Sequence, residues 1–373
     1  MRKKNSLGIQ SILDFNNVKG VSEKEDIIKS LYSLLDCNDI GEIRQKVKTI
    51  ISNFSEIKPS LNKDLGYSSL ESRPPVNISD LEQVLNSFTA ERAKHYVKRL
   101  IKGITEQRTS KFNDINLNRW KEYDYIITDS LWTFDKRERG EGHNAKYWGN
   151  FIPQIPHQLL LRFTKKCDWV LDPFMGSGTT LIECRRLGRN SVGIDLEKNA
   201  VELARENLRR TENVHDSGTK IINSDNLEVD YHKLLEELGI KSFQFMILHP
   251  PYWDIIKFSQ NNRNFSNLPS MELFLDSMSR LAKLLWPVLE DQRYLALVIG
   301  DKYANGNWIP LGFYSMQRFL EAGFSLKSII VKNYDMTRGK KNSSELWRYR
   351  ALVGGFYVFK HEYIFLFQKQ VRK

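Results

Sequence analysis

The sequence predicts an α/β fold: a mostly parallel sheet with helices on both faces, preceded by a mostly helical region. Three observations carry that expectation. From Tyr123 onward, short apolar runs alternate with segments of helical period, the pattern of strand–helix units. Trp169-Val170-Leu171 runs into a glycine-rich stretch and then into a helical segment. The apolar run 243–248 stops at Pro250-Pro251, and no strand can carry its hydrogen-bond ladder through two prolines.

Residues 1–118 read as the helical region. Segments 23–35 and 40–54 set apolar residues three and four apart, as an amphipathic helix requires. Residues 60–77, rich in Ser, Pro, Asn and Gly, read as a loop. Ser79-Asp80-Leu81-Glu82 offers a capping box that would start the next helix at Ser79. Segment 90–109 is a basic helix with Arg92, Lys94, His95, Lys98, Arg99, Lys102 and Arg108. Its buried stripe is expected from Tyr96, Val97, Leu100, Ile101 and Ile104. Such a helix suits a phosphate backbone, and it equally suits an ordinary solvated face.

Residues 119–373 carry the strand–helix alternation. Strands are expected at 125–127, 169–171, 191–194, 220–222, 245–248, 294–299, 328–332 and 363–367. Helices are expected at 151–163, 179–187, 198–211, 231–238, 271–289 and 312–321. Segment 332–350, with Arg338, Lys340, Lys341, Arg348 and Arg350, is basic and polar and reads either as a loop that orders on DNA or as a solvated insertion.

The chain has 373 residues, 41% of them hydrophobic, which supports a packed core and roughly two domains. Its net charge of +11 favours a polyanionic partner such as nucleic acid. Cys37, Cys167 and Cys184 form neither a disulfide framework nor a metal-ligand spacing, so an intracellular, reduced setting in the cytoplasm and no metal are expected. The opening residues lack an apolar run of signal-peptide length. No stretch reaches the ~18 consecutive apolar residues of a membrane span.

The stretch Asp172-Pro173-Phe174-Met175-Gly176-Ser177-Gly178-Thr179-Thr180 links a strand to a helix. Gly176 and Gly178 permit positive φ and let a ligand approach the backbone, and Thr179 sits where helix N–H groups are unpaired. The spacing is neither that of a nucleotide P-loop nor that of a dinucleotide fingerprint. About 20 residues on, the next strand ends at Asp195, where an acid can grip ribose hydroxyls. The strand after that ends at Ser224-Asp225, where a carboxylate can accept from an adenine amino group. A site for a carboxylate, one for a ribose and one for an adenine together describe S-adenosylmethionine.

These segments resemble the DNA amino-methyltransferases, which methylate the exocyclic nitrogen of adenine or cytosine. Residues 172–180 resemble that family's motif I, and His249-Pro250-Pro251-Tyr252 is similar to its motif IV, usually Asp, Asn or Ser before Pro-Pro-Tyr. Phe151-Ile152-Pro153, ahead of motif I, resembles motif X, which closes over the methionine part of the cofactor. Residues 361–367 resemble a C-terminal His-Glu-Tyr strand of the family. The resemblance covers about residues 120–370 and implies a Rossmann-like methyltransferase sheet. Two features depart from the pattern. His249 replaces the usual residue, and motif I precedes motif IV where the reverse order is usual for this kind of loop. Residues 125–132 stand where that order would put motif IV and suggest a degenerate second copy, or a plain strand and turn.

The resemblance implies a site-specific methyltransferase acting on a base flipped out of duplex DNA, in restriction-modification or phage defence, with a cognate defence protein as a potential partner. Adenine N6 is favoured by its frequency in the family, and cytosine N4 stays open. The alternatives are an RNA or protein-glutamine methyltransferase, or an idle DNA-binding subunit. An exocyclic amino nitrogen is a poor nucleophile, so the enzyme must accept its hydrogens. The Pro250 carbonyl and an unprotonated nitrogen of His249 are the expected acceptors, Pro251 stiffens the turn, and the Tyr252 ring is expected to stack on the base.

Overall fold

The computed structural model describes residues 25–55, 76, 78–140, 142–143, 149–334 and 344–370. Most of the loop expected at 60–77 lies outside them, as do the opening residues and Arg338, Lys340 and Lys341. The chain divides into two compact units: Met1–Ser110 with Ile115–Tyr125, and Lys111–Asp114 with Ile126–Lys373.

The first unit is helical where described: α1 (25–35), α2 (Ile40–Ser55), α3 (Ile78–Leu85) and α4 (Ala90–Thr105). Residues three and four apart, such as Leu31 and Leu34, Ile43 and Val47, and Ala93, Val97, Ile101 and Ile104, share one apolar core. Tyr96 and Leu100 are only partly buried against it. Thr89 caps α4 by accepting the Arg92 N–H at 3.2 Å. Opposite the core, α4 exposes Arg92, His95, Lys98, Arg99 and Lys102. α3 starts at Ile78, which puts Ser79 inside its first turn.

The second unit is built on strands β1 (Leu131–Trp132), β2 (Trp169–Asp172), β3 (Asn190–Asp195), β4 (Thr219–Asn223), β5 (Phe243–Leu248), β6 (Leu289–Ile299), β7 (Lys302–Ala304), β8 (Asn307–Ile309), β9 (Ser325–Asn333) and β10 (His361–Gln368). β7 and β8 form a separate hairpin. The others make one sheet in the order β1-β9-β10-β6-β5-β2-β3-β4, parallel throughout except for β10, which runs antiparallel to both its neighbours. Between the strands lie α5 (Gln154–Phe163), α6 (Thr179–Leu187), α7 (Lys198–Arg209), α8 (Tyr231–Leu238), α9 (Met271–Leu285), α10 (Leu311–Glu321) and α11 (Ser344–Gly354).

The central strands are apolar at nearly every position because both faces are covered. Met246 and Leu248, Leu295 and Leu297, and Phe365 and Phe367 face one core with α9 and α10. Phe245 and Ile247, Ala296 and Val298, and Ile364 and Leu366 face the other with α5. The period of two within each run sorts alternate residues to opposite layers. The sheet is thus a doubly wound, Rossmann-like α/β sheet. No helix of the described residues is long and apolar enough to cross a membrane.

Three elements differ from expectation. Residues 125–127 form no strand; β1 forms further on, at the sheet edge, with four strands between it and β2. There it cannot present a turn to the β2 loop, so a second motif IV in that role is excluded. The β7–β8 hairpin turns at Asn305 and Gly306, both at positive φ (50° and 76°). Part of the segment expected as a loop or insertion is helix α11.

Candidate active site

β2 leads through α6, β3 and α7 to β4 on one side of the sheet, and the chain then returns to β5 on the other side of β2. The carboxyl ends of β2 and β5 are therefore the two lips of a topological switch point, where open α/β sheets bind ligands. A cavity of about 830 Å³ opens there.

The β2 lip is the glycine-rich loop. Gly176 and Gly178 take φ of 52° and 84°, so neither position suits a side chain. A Cβ on Gly178 would also stand 3.1 Å from the Cβ of Ala204. The loop is tied to the end of β3 by the Asp195 carboxylate, whose Oδ2 accepts the Gly176 N–H and whose Oδ1 accepts the Glu197 N–H, each at 2.9 Å. Burial pushes the Asp195 carboxyl up to about 6. Gly193 makes this approach fit: a Cβ there would meet Met175 Sδ at 2.5 Å and Leu181 Cδ2 at 2.8 Å.

Of the residues expected to hold a cofactor, Phe151, Pro173, Phe174, Gly176, Asp195 and Asp225 line the cavity. Asp172, Gly178, Thr179 and Pro153 stand behind that wall and are buried. Asp172 Oδ1 accepts the Phe174 N–H at 3.0 Å, and burial pushes its carboxyl up to about 7. Asp225 Oδ1 accepts the Leu227 N–H at 3.0 Å.

Asn226 and Glu197 are among the lining residues that the sequence reading did not name. Asn226 donates to the Pro173 carbonyl at 3.0 Å, while its own Oδ1 is buried with no partner among the described residues. Glu197 accepts from Asn264 at 2.9 Å and from Ser259, which draws segment 259–264 to the β3 tip. Acids and amides at strand ends are common, so neither residue type signalled its place.

The β5 lip is His249-Pro250-Pro251-Tyr252. The His249 ring meets Phe151 edge-on at 4.8 Å between centroids. Burial lowers its pKa to about 4, so the imidazole is neutral at pH 7. Tyr252 packs so closely on Gly300 that a Cβ there would lie 2.9 Å from its ring. Its hydroxyl donates to Glu362 Oε2 at 2.6 Å, and Glu362 Oε1 accepts from Lys332 Nζ at 3.0 Å. Burial alone would raise the Glu362 carboxyl, but Lys332, with His249 and Tyr252, brings it below the usual carboxylate range. Trp253 follows at φ 49°, unusual for a bulky residue, and is pinned by its indole N–H on the Leu268 carbonyl at 2.9 Å and by Lys302 Nζ 3.9 Å above its ring.

The cavity continues between Tyr303, Tyr334, Trp347 and residues 356–359, and Tyr303 stacks on Phe356 at 4.3 Å. Asp301, a candidate pocket residue, also anchors the fold: its carboxylate accepts the Gly312 N–H and the Trp308 indole N–H, each at 2.9 Å.

Comparison with known proteins points the same way. The DNA methylase family model matches residues 41–206. The chain is 34% identical over 109 residues to the type II methyltransferase M.MjaII of Methanocaldococcus jannaschii, covering 26% of this chain and 21% of the relative. It is 42% identical over 107 residues to a type II methyltransferase of Streptococcus pneumoniae, covering 26% and 38%. With M.MjaI of Methanocaldococcus jannaschii it shares 24% identity over 239 residues, covering 52% and 75%. The matches thus span less than two fifths of the length of the first two relatives. The chain is thus similar to the DNA methylase model over residues 41–206 and, over part of its length, to several type II methyltransferases.

Proposed function

We propose that this chain binds S-adenosylmethionine against the β2 loop and methylates an exocyclic amino group, adenine N6 or cytosine N4, of a base flipped from duplex DNA. The observation that carries the reading is the placement of His249-Pro250-Pro251-Tyr252 and the glycine-rich loop on facing lips of one cavity. The residues fit the cofactor. Gly176 and Gly178 leave room at the backbone, Asp195 suits a ribose, and Asp225 with the free Asn226 Oδ1 suits an adenine edge. When bound, S-adenosylmethionine supplies a methyl group on a positively charged sulfur.

The chain's own residues provide orientation. The neutral His249 ring offers a lone pair to the amino hydrogens without repelling a nearby cation. Pro250 and Pro251 hold the turn rigid, and positioning of this kind is the main requirement of an in-line displacement. The aromatic wall of Tyr303, Phe356 and Trp347 suits the faces of an unstacked base. The exposed basic face of α4 suits phosphates, which gives residues 1–118 a role in DNA or partner binding. A restriction or defence setting in the cytoplasm, with a cognate protein partner, is part of the same proposal.

The test is methyl transfer from labelled S-adenosylmethionine to unmethylated genomic DNA, with nucleosides separated by mass spectrometry. The reading expects label on N6-methyladenine or N4-methylcytosine. Label only in RNA or in protein glutamine would replace it.

A further inference from the structure

We propose that the buried chain Lys332–Glu362–Tyr252 fixes the tautomer of His249, so that Nε2 carries the proton and Nδ1 is the lone pair offered to the target amino group. This rests on the function proposed above and names the groups that make its acceptor.

Each link in the chain runs in one direction only. An ammonium has only protons to give, and Lys332 Nζ lies 3.0 Å from Glu362 Oε1. A carboxylate only accepts, and Glu362 is held in that form by Lys332. The single hydroxyl proton of Tyr252 therefore goes to Glu362 Oε2, at 2.6 Å. With that proton committed, Tyr252 Oη can only accept from the ring nitrogen 3.2 Å away, which is His249 Nε2. A neutral imidazole has one N–H, so Nδ1 is bare. No hydrogen bond from the described residues reaches Nδ1, and His249 lines the cavity.

Among the described residues, the ionisable groups beside this ring are Tyr252 from its own turn, Glu362 from β10 and Lys332 from β9; Tyr334, just after β9, faces Tyr252, and Phe151 adds only an apolar edge. Burial keeps the ring neutral, and the chain decides where its one proton sits. Tyr252 thereby becomes a positioning residue through its hydroxyl, beyond anything its ring does. Glu362 and Lys332 act one and two hydrogen bonds further out.

The experiment uses the full chain labelled with ¹⁵N-histidine, alone and as the Tyr252→Phe and Lys332→Met variants. The expected wild-type spectrum shows His249, assigned by its loss in His249→Asn, with a protonated Nε2 and an unprotonated Nδ1 at pH 7. Tyr252→Phe should shift those signals toward a tautomer mixture. It should also slow methyl transfer to unmethylated genomic DNA by about 10- to 100-fold, the scale on which an outer partner that fixes the tautomer of a metal-bound imidazole matters. S-adenosylmethionine affinity should stay within about twofold, because the β2 loop is untouched. A protonated Nδ1 of His249 in the wild type overturns the proposal, even if Tyr252→Phe and Lys332→Met fail to fold. So does a Tyr252→Phe variant with the wild-type spectrum and rate. A wild-type protein with the expected spectrum that methylates no DNA would instead overturn the function proposed above.

Discussion

Asp195→Ala is the sharpest probe of how the glycine-rich loop meets its ligand. In the structure the Asp195 carboxylate accepts two backbone N–H groups, from Gly176 and Glu197, each at 2.9 Å. Hydrogen bonds to a charged group contribute about 1.5–3 kcal/mol each, and an unpaired N–H in so enclosed a place costs a similar amount. Losing the ribose contact alone should therefore weaken S-adenosylmethionine binding by about 10- to 150-fold, as 1.36 kcal/mol is tenfold. Loosening of Gly176 adds to this and should also lower the melting temperature. The wild type should show a pH dependence of its own. Burial raises the Asp195 carboxyl to about 6, so below that pH the group protonates and gives up an acceptor. Affinity should fall as pH drops through 6, and the alanine variant should lack that slope. Titration calorimetry from pH 5 to 8 reads both effects. Unchanged affinity in the alanine variant would refute the reasoning and hand the ribose to Glu197 or another group.

Gly193→Ala should destabilise by about 1–3 kcal/mol, since its methyl would overlap Met175 and Leu181, and it should weaken cofactor binding by pushing the loop off β3; denaturant melts and calorimetry check both. Replacing Lys98, Arg99 and Lys102 with alanine should lower DNA affinity and flatten its salt dependence by up to about 0.9 per lost phosphate contact, with cofactor affinity unchanged. If the DNA affinity holds, α4 faces something other than nucleic acid. His249 titrates at about 4 when folded against 6.5 for a free imidazole, so the unfolded chain takes up a proton that the folded ring refuses. Its contribution to stability should be complete above pH 6.5 and fade between 6.5 and 4, and His249→Asn should lose that part of the slope in urea midpoints measured against pH.

The sheet was legible because its central strands are apolar runs of strand length ending in prolines or acids, and such runs can only be buried. The two lips of the cavity were legible for the same reason, since Asp172, Asp195 and His249 each mark where an apolar run turns polar. Helix α11 was not: Leu346, Leu352 and Val353 are exposed in it, so no buried stripe marked it. The β7–β8 hairpin could have been found, because Asn305-Gly306 is a strong signal for a turn with two positive φ angles. For Tyr252 the sequence pointed only to a stacking ring. Nothing in the local sequence shows that a carboxylate 110 residues away receives its proton. That contact exists only because β10 enters the sheet beside β6.

The Lys332–Glu362 ion pair has a second consequence, for how the chain finds its fold. The two residues are exact cross-strand partners in the β9–β10 ladder, and both are buried. β10 must slide antiparallel into the gap between β9 and β6, where apolar residues such as Ile330 and Leu297 flank it and grease alone would tolerate more than one alignment. A slip by one position would send Glu362 to the opposite layer, and a slip by two would strand it beside a hydrocarbon wall, leaving Lys332 with an unmatched charge in either case. The pair thus works as an alignment pin, and misaligned sheets are rejected by the same two side chains that steer the proton on His249. Swapping both for well-packed leucines could leave the protein as stable as before while letting the last strand settle in more than one place.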